Sequence, residues 1–460
     1  MKKAFTFAAI LCLFSAFVSC SGKAESNIPE RQPEFTESGK AIVRVGNFGF
    51  RSDAFSDDMS FPKDIQLEEH NYSKDAENID DAMHELDMDI LQGNAPDIIF
   101  TSAEYMDRLI RKDAMADMFQ LMDDYGGIQR EDFLPTALES LTVDGKLPAV
   151  VDSFMIKTAI AKTKFVEEKY NNWTPDKAMS FYEKYADQMA FIDDNNELLA
   201  DYMLKLLGRS CINYKNCTCD FSGEFLDVLR FCAEHPVDEK NIPDYSRMSD
   251  IDRNAYTDDE LTRGMRDAQL VFPITITGLN SEFADNAYVR MNKEDITFVG
   301  MPSTDGNGTY AMVSAATAVP YGILKSSANK EAAWKLVCHI LRHRKKLETY
   351  QNDCTRGIPV LKSQFDFDAE LSEGYAVSIN GTFSNHVRGT QNEEPFYIPD
   401  DVKEKLKDYI LSVKFDIYTS SIIDDMINEE CQPVFSGERT PEQAVEILKN
   451  RISLYLSEKS

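Results

Sequence analysis

The chain has 460 residues, with 78 acidic against 49 basic side chains and a formal net charge of -29. That length exceeds what a single hydrophobic core usually serves, so two lobes are the default. A surface this acidic repels phosphate backbones and anionic lipid, which argues against nucleic acid as a partner and otherwise speaks for solubility rather than ligand recognition.

The chain begins MKKAFTFAAI, with Lys2 and Lys3 ahead of an apolar run from Ala4 to Val18 that is too short to cross a bilayer and be kept there. This is the pattern of an export signal. Ala16, Ser19 and Cys20 could roughly serve plain secretory cleavage, but the fit to a bacterial lipoprotein signal is closer. Val18 and Ser19 directly precede Cys20, which would be acylated on its thiol and become the new N-terminus. Residues 1–19 are then the signal, and 20–40, polar and rich in Glu, Pro and Ser, a flexible tether. Loss of Lys2 and Lys3 takes the net charge to about -31. No later segment is apolar and long enough to span a membrane, so the acyl chains are the expected attachment.

In AIVRVGNFGF, Val43 and Val45 flank Arg44 in strand-like alternation that breaks at Gly46. In NIDDAMHELDMDILQGNAPDIIF, the positions Ile79, Met83, Leu86 and Ile90 recur at helical spacing. Gly93 ends the predicted helix, Pro96 forbids its resumption, and Asp97 to Phe100 form a short buried strand. TSAEYMDRLIRK then turns helical again. Helix, strand, helix is the unit of a mostly parallel sheet covered on both faces. In such sheets the loops at carboxyl strand ends collect ligand contacts, which singles out Thr101, Ser102, Glu104 and Tyr105; capping by Thr101 or Ser102 is the competing account. Asp144 and Gly145 predict a turn, followed by two extended apolar runs. Trp173 precedes Thr174, an N-cap with Pro175 at the first helical position, and reads as a packing anchor at a helix entry.

Cys211, Cys217, Cys219 and Cys232 crowd into one stretch, CINYKNCTCD and its sequel. Their spacing lacks a second paired knuckle, and His235, directly before Pro236, has no second histidine close to it in sequence, which argues against a thiolate metal site. In an oxidising compartment at least one disulfide among the four is expected. Seven cysteines follow Cys20, so one at least is unpaired or bonded outside the chain.

ILQGNAPDIIF, DAMADMFQLMDD, REDFLPTALESLTVDGKLPAVVDSF, NNWTPDKAM, DITFVGMPSTDGNGTY, SANKEAAWKLVCHIL and FSGERTPEQAVEILKNRISLYLSE, taken in order, resemble the extracellular solute-binding proteins of bacterial ABC importers. The similarity is to family 1, the carbohydrate-binding group typified by the maltose-binding protein, and runs from about Val43 to Glu458. The resemblance implies an α/β, two-lobed periplasmic-binding-protein fold of type II, with central mostly parallel sheets flanked by helices and a ligand cleft between the lobes. It implies lobe 1 at 41–151 and 315–356 and lobe 2 at 152–314 and 357–460, with Asp152 and Ser153 in the first crossover. It further implies a sugar or oligosaccharide as ligand, ABC permease subunits as partners, and no cofactor.

A sugar needs planar rings over its apolar faces, and acids, amides or Arg on its hydroxyls. The chain offers Phe48 with Arg51 and Asp53 after the first strand, Ser102, Glu104 and Tyr105 after DIIF, and Asp152 with Phe154 at the crossover. It also offers Phe272, Tyr310, and Phe396 with Tyr397 between Pro395 and Pro399. Tyr397 is the leading aromatic; Asp152 and Glu104 are the leading acids. The segment from Leu270 to Phe283 lacks the Trp that relatives often carry there, and the chain has only Trp173 and Trp334, so a solute other than maltodextrin stays open.

Catalysis has little support. GNFGFR lacks the third glycine of a dinucleotide fingerprint, STDGNG lacks the lysine of a phosphate loop, and counting a calcium loop from Asp305 misplaces its glycine and its glutamate. The six histidines form no zinc-protease motif. A surface lipoprotein that captures glycans or adheres, with no transporter behind it, is the alternative reading from another class.

Overall fold

The computed structural model describes residues 32–49, 61–74, 76, 78–166, 173–185, 203–213, 216–235, 270–276, 294–304, 310–312, 319–342, 357–366, 376–377, 383–384, 400–412, 414–416 and 421–459. β1 (Ala41–Asn47) runs parallel to β2 (Ile65–Asn71), with Val43 opposite Leu67. Helix α1 (Ile79–Gln92) starts at Asn78, whose side chain accepts from the Asp81 N–H, and stops at Gly93, whose φ of 77° closes the helix onto the carbonyls of Asp89 and Ile90. Its buried residues are Ala82 and Leu86, while Ile79 is 40% exposed, so the predicted stripe is rotated. The small Ala82 side chain packs with Leu86, Phe48, Tyr72 and Tyr105 in one cluster.

β3 (Ile98–Phe100) then takes the other side of β1. The close fit at this junction needs a glycine: a Cβ on Gly46 would come within 2.8 Å of Pro96 and 2.9 Å of both Ile99 and Tyr72. Asp97 anchors it, its carboxylate accepting from the Arg44 N–H at 2.8 Å and the Ser327 hydroxyl at 2.8 Å. α2 (Ala103–Arg111), α3 (Met118–Tyr125) and α4 (Pro135–Leu141) follow. The turn predicted at Asp144 and Gly145 has both residues at positive φ, 50° and 77°.

β4 (Ser153–Phe154) leads into β5 (Ile156–Lys162) and α5 (Pro175–Tyr185), which Thr174 caps. Beyond it come α6 (Leu204–Ser210), the hairpin of β6 (Ile212–Asn213) and β7 (Thr218–Cys219), and α7 (Glu224–Glu234). β8 (Val271–Ile276), β9 (Ile296–Phe298) and β10 (Tyr310–Met312) all pair with β5. β11 (Tyr321–Ile323) returns to β3 and is followed by α8 (Lys330–Arg342). β12 (Ile358–Pro359) pairs with β4. The short strands β13 (Ala376–Val377) and β14 (Phe383–Ser384), α9 (Asp400–Ser412), β15 (Lys414–Asp416), α10 (Ser421–Phe435) and α11 (Pro441–Lys459) complete the order.

Two main sheets result. The first has the order β11-β3-β1-β2 and is parallel except for β11. Ile98 and Phe100 face one core and Ile99 another, as period-two alternation requires of a sheet covered on both sides. The second, β15-β10-β5-β8 with β9 also on β5, corrects the expectation of mostly parallel sheets, because β8, β9 and β10 are all antiparallel to β5. The cause is directional: β5 leaves the crossover strand β4, whereas β8 runs back toward it and ends with Ile276 opposite Ile156.

One core joins the first sheet to the crossover, from Val45, Phe100 and Trp334 through Val151 and Phe154 to Ile358 and Tyr409. A separate core contains Trp173, Phe181, Phe225, Ile427, Leu448 and Ile452. Full burial of aliphatic and aromatic side chains of this kind contributes about 1.5–3 kcal/mol each. Trp173 meets the edge of Phe181 at 5.5 Å, and the Trp334 indole N–H donates to the Gly126 carbonyl at 2.8 Å. Among the described residues no helix is long and apolar enough to cross a membrane.

Candidate functional site

The carboxyl ends of β1 and β3 lie side by side, and Pro320, just ahead of β11, meets the end of β3. The Thr101 N–H donates to the Pro320 carbonyl at 3.2 Å. The Thr101 residue is fully buried, and its hydroxyl oxygen finds no hydrogen-bond partner among the described residues. Ser102 accepts from the Tyr105 N–H at 3.3 Å and is the N-cap of α2, so the capping account of its role holds. At the end of β1, the Asn47 side chain accepts from the Gly49 N–H at 2.8 Å and donates to Glu69.

Glu104, in the first turn of α2, is turned away from this packing. The Tyr455 hydroxyl donates to its Oε1 at 2.5 Å. Tyr455 sits on α11 and packs against the second core, so this bond links the first sheet's edge to the helices of the other core.

The neighbouring tyrosine behaves differently. Tyr105 is 1% exposed, and its hydroxyl donates to Asp87 Oδ1 at 2.7 Å and toward the Met83 carbonyl at 3.1 Å. Arg108 holds the other Asp87 oxygen at 2.6 Å and lies 5.4 Å from the Tyr105 ring centre. Burial first, and then the hydrogen bond to Asp87, push the Tyr105 phenol well above its ordinary range. Tyr72 repeats the arrangement with Asp89 at 2.9 Å, and burial again leads the upward shift. Phe48 stacks on Tyr72 at 5.5 Å and meets Tyr105 at 6.0 Å.

This arrangement revises the aromatic part of the sequence reading. Phe48 is 4% exposed and Phe154 fully buried, so with Tyr105 they serve as core rather than as open platforms. The reason is local: alternation along β1 and the α1–α2 packing turn Phe48 and Tyr105 inward, while the β4–β12 pair seats Phe154 opposite Ile358. Asp152 is 9% exposed at the crossover, where its carbonyl accepts from the Val360 N–H at 3.3 Å. The backbone of Phe272 pairs with Ile160, four residues along β8 from the Ile276 end next to the crossover, and Tyr310 opens β10 opposite Lys414. Arg51, Asp53, Phe396, Tyr397 and Cys20 lie outside the described residues.

No disulfide joins Cys211, Cys217, Cys219 and Cys232, in contrast to the expected bridge. In the hairpin Ile212, not Cys211, stands opposite Cys219. The Cys219 thiol is turned toward α11, 3.5 Å from the Lys449 carbonyl and 3.5 Å from the Ser453 hydroxyl. Burial pushes the Cys211 and Cys232 thiols up to about 12, leaving little thiolate for exchange at neutral pH. Among the described residues no three His, Cys, Asp or Glu side chains are placed to hold a metal ion.

Of the expected ligand residues, Ser102 and Glu104 come together with Thr101 at one sheet edge. Tyr455 escaped sequence reading altogether. It lies beside the buried Ile452 and Leu456, next to the exposed Leu454, and 351 residues from Glu104, so no spacing rule connects the two.

No protein-family model matches the chain, and no curated protein does. Solved structures do resemble it. The sugar-binding protein MalE from Xanthomonas citri is 12% identical, covers 91% of this chain and 98% of its own, and superposes with a TM-score of 0.53. A family 1 extracellular solute-binding protein from Alicyclobacillus acidocaldarius is 13% identical over 91% of this chain and 98% of its own, at a TM-score of 0.51. A de novo designed cysteine esterase superposes with a TM-score of 0.51 at 14% identity over 91% of this chain and 99% of its own. At these identities the likeness speaks to fold and not to chemistry. The chain shares the fold of extracellular solute-binding proteins.

Proposed function

We propose that this chain is the extracytoplasmic substrate-binding protein of an ABC importer, held to the cell membrane through an acylated Cys20 and binding a neutral, hydroxyl-rich solute, a sugar or oligosaccharide. The observation that carries the reading is the polar edge of the first sheet, where Thr101, Ser102 and Glu104 follow β3 and Glu104 meets a helix of the other core. A carboxylate and hydroxyls at carboxyl strand ends are the groups that pair with ligand hydroxyls. The sugar-binding relative with the same fold supports it.

On this reading residues 41–151 with 315–356 and residues 152–314 with 357–460 act as lobes that move about the β4–β12 crossover. Gly357, at φ 76° and with only 2.8 Å between a would-be Cβ and the Phe154 carbonyl, fits a tight crossing point. Closure would bury the solute, and each hydroxyl left without a partner would cost about 1–3 kcal/mol, so epimers should be discriminated. Asp152 and Glu104 are the acids assigned to that task, and Tyr397 the aromatic.

A thermal-shift screen against a carbohydrate library should find a ligand that raises the unfolding midpoint, since a molecule that binds only the folded form stabilises it by linkage. Titration calorimetry and small-angle scattering should then show binding with a smaller radius of gyration and chemically unchanged ligand. A ligand recovered altered, or a radius that does not shrink, overturns the receptor reading. For the anchor, labelling with a clickable fatty acid should mark the wild type and not Cys20→Ala; unlabelled wild-type protein released to the medium sinks the lipoprotein assignment.

A further inference from the structure

We infer that Tyr455 is a built-in competitor for the solute: its phenol occupies, on Glu104, the hydrogen-bonding position that a solute hydroxyl takes when it binds. The inference rests on the reading of Glu104 as a ligand acid. It adds a residue from the far C-terminal helix to the site and gives it a role.

Three observations converge. The Tyr455 hydroxyl donates to Glu104 Oε1 at 2.5 Å, which is what a sugar hydroxyl would do to a carboxylate. The two side chains come from separately packed parts: Glu104 from the first turn of α2 beside the first sheet, Tyr455 from α11 on the second core. The hydroxyl of Thr101, three residues before Glu104, is fully buried and has no hydrogen-bond partner among the described residues, so polar capacity remains at this edge that Tyr455 does not satisfy. A phenol on one body and a carboxylate on the other form a tie between them. Tyr455 is only partly buried against the second core and lies off the stripe of Ala444, Leu448, Ile452 and Leu456, so its hydroxyl can leave Glu104 while that stripe keeps α11 seated. Binding would then exchange one hydrogen bond for another, with the tie released only when a hydroxyl of suitable position replaces it. Tyr455 thereby acts as a positioning residue that raises the threshold for weak or poorly matched solutes.

The test compares wild type, Tyr455→Phe and, as a control for loss of a tyrosine–carboxylate bond inside one body, Tyr105→Phe. Without ligand, amide exchange in 103–111 and 449–459 should accelerate together, by about three- to fivefold, in Tyr455→Phe, as expected for loss of a hydrogen bond that water can partly replace. Small-angle scattering should show a wider distribution of dimensions. Tyr105→Phe should leave the exchange of 449–459 unchanged. Exchange in both segments that matches wild type in Tyr455→Phe overturns the tie. Maltotriose, xylotriose and cellotriose, used as probes, should bind Tyr455→Phe about three- to fivefold more tightly than wild type where either binds. Equal or weaker binding to Tyr455→Phe overturns the competition. If no probe binds either protein, the competition claim falls with the carbohydrate reading, while the exchange data still decide the tie.

Discussion

Tyr72, Tyr105 and Tyr455 each donate to a carboxylate, yet the first two sit inside one packed cluster and the third spans two. Tyr72 and Tyr105 are buried with Phe48 and Leu86, and their acids, Asp89 and Asp87, stand on the same helix α1. Such a bond is paid for by desolvation and is worth keeping only because leaving either group alone in the interior costs more. Tyr455 and Glu104 are only partly buried, and water can replace either partner. The same pair of functional groups is therefore fixed architecture in one place and exchangeable in the other, with solvent access deciding which.

The largest effect that can break this comparison is Tyr105→Ala. Removing a ring packed on Phe48 and Arg108 should cost about 3–5 kcal/mol, read from chemical unfolding; a loss below about 1 kcal/mol would mean that the cluster does not hold the first sheet's helices. Tyr105→Phe isolates the hydroxyl and should cost about 1–3 kcal/mol, because Asp87 keeps Arg108 but loses its phenol donor in a buried setting.

The interior pairs also carry a pH signature. Burial and a neighbouring carboxylate raise the phenols of Tyr72 and Tyr105 above their ordinary value of 10.0, so the folded form holds these protons more tightly than the unfolded chain. Their contribution to stability is complete below pH 10 and declines as the pH rises above it. Unfolding measured across the alkaline range should show that decline, shallower in Tyr105→Phe than in wild type; identical slopes would contradict the assignment.

The smallest expected effect is on Tyr455→Phe, whose stability should change by less than about 1 kcal/mol, since water can take the Glu104 carboxylate. A loss as large as that of Tyr105→Phe would erase the distinction between the two kinds of pair.

Local chemistry made much of the first half legible. Gly93 and Pro96 marked the end of α1 and the start of β3 because each restricts the backbone on its own, and Asp144 with Gly145 marked a turn for the same reason. Thr174 and Pro175 announced α5, and Trp173 is the packing anchor that its place at a helix entry suggested. Ser102 and Glu104 could be singled out because a strand followed by a capped helix puts them at a sheet's carboxyl edge. What remained hidden depended on partners distant in sequence. Whether Phe48, Tyr105 and Phe154 face solvent or core was settled by helices and strands packing over them, and the antiparallel run of the second sheet by the direction in which β5 leaves the crossover. The cysteine spacing says nothing of where each thiol points; Cys219 turns to α11, more than two hundred residues away. Backbone restrictions and caps act over a few residues and can be read directly from the chain. The meeting of Glu104 with Tyr455, by contrast, exists only once two separately buried cores fix the elements that carry them, and that is a property of the tertiary structure alone.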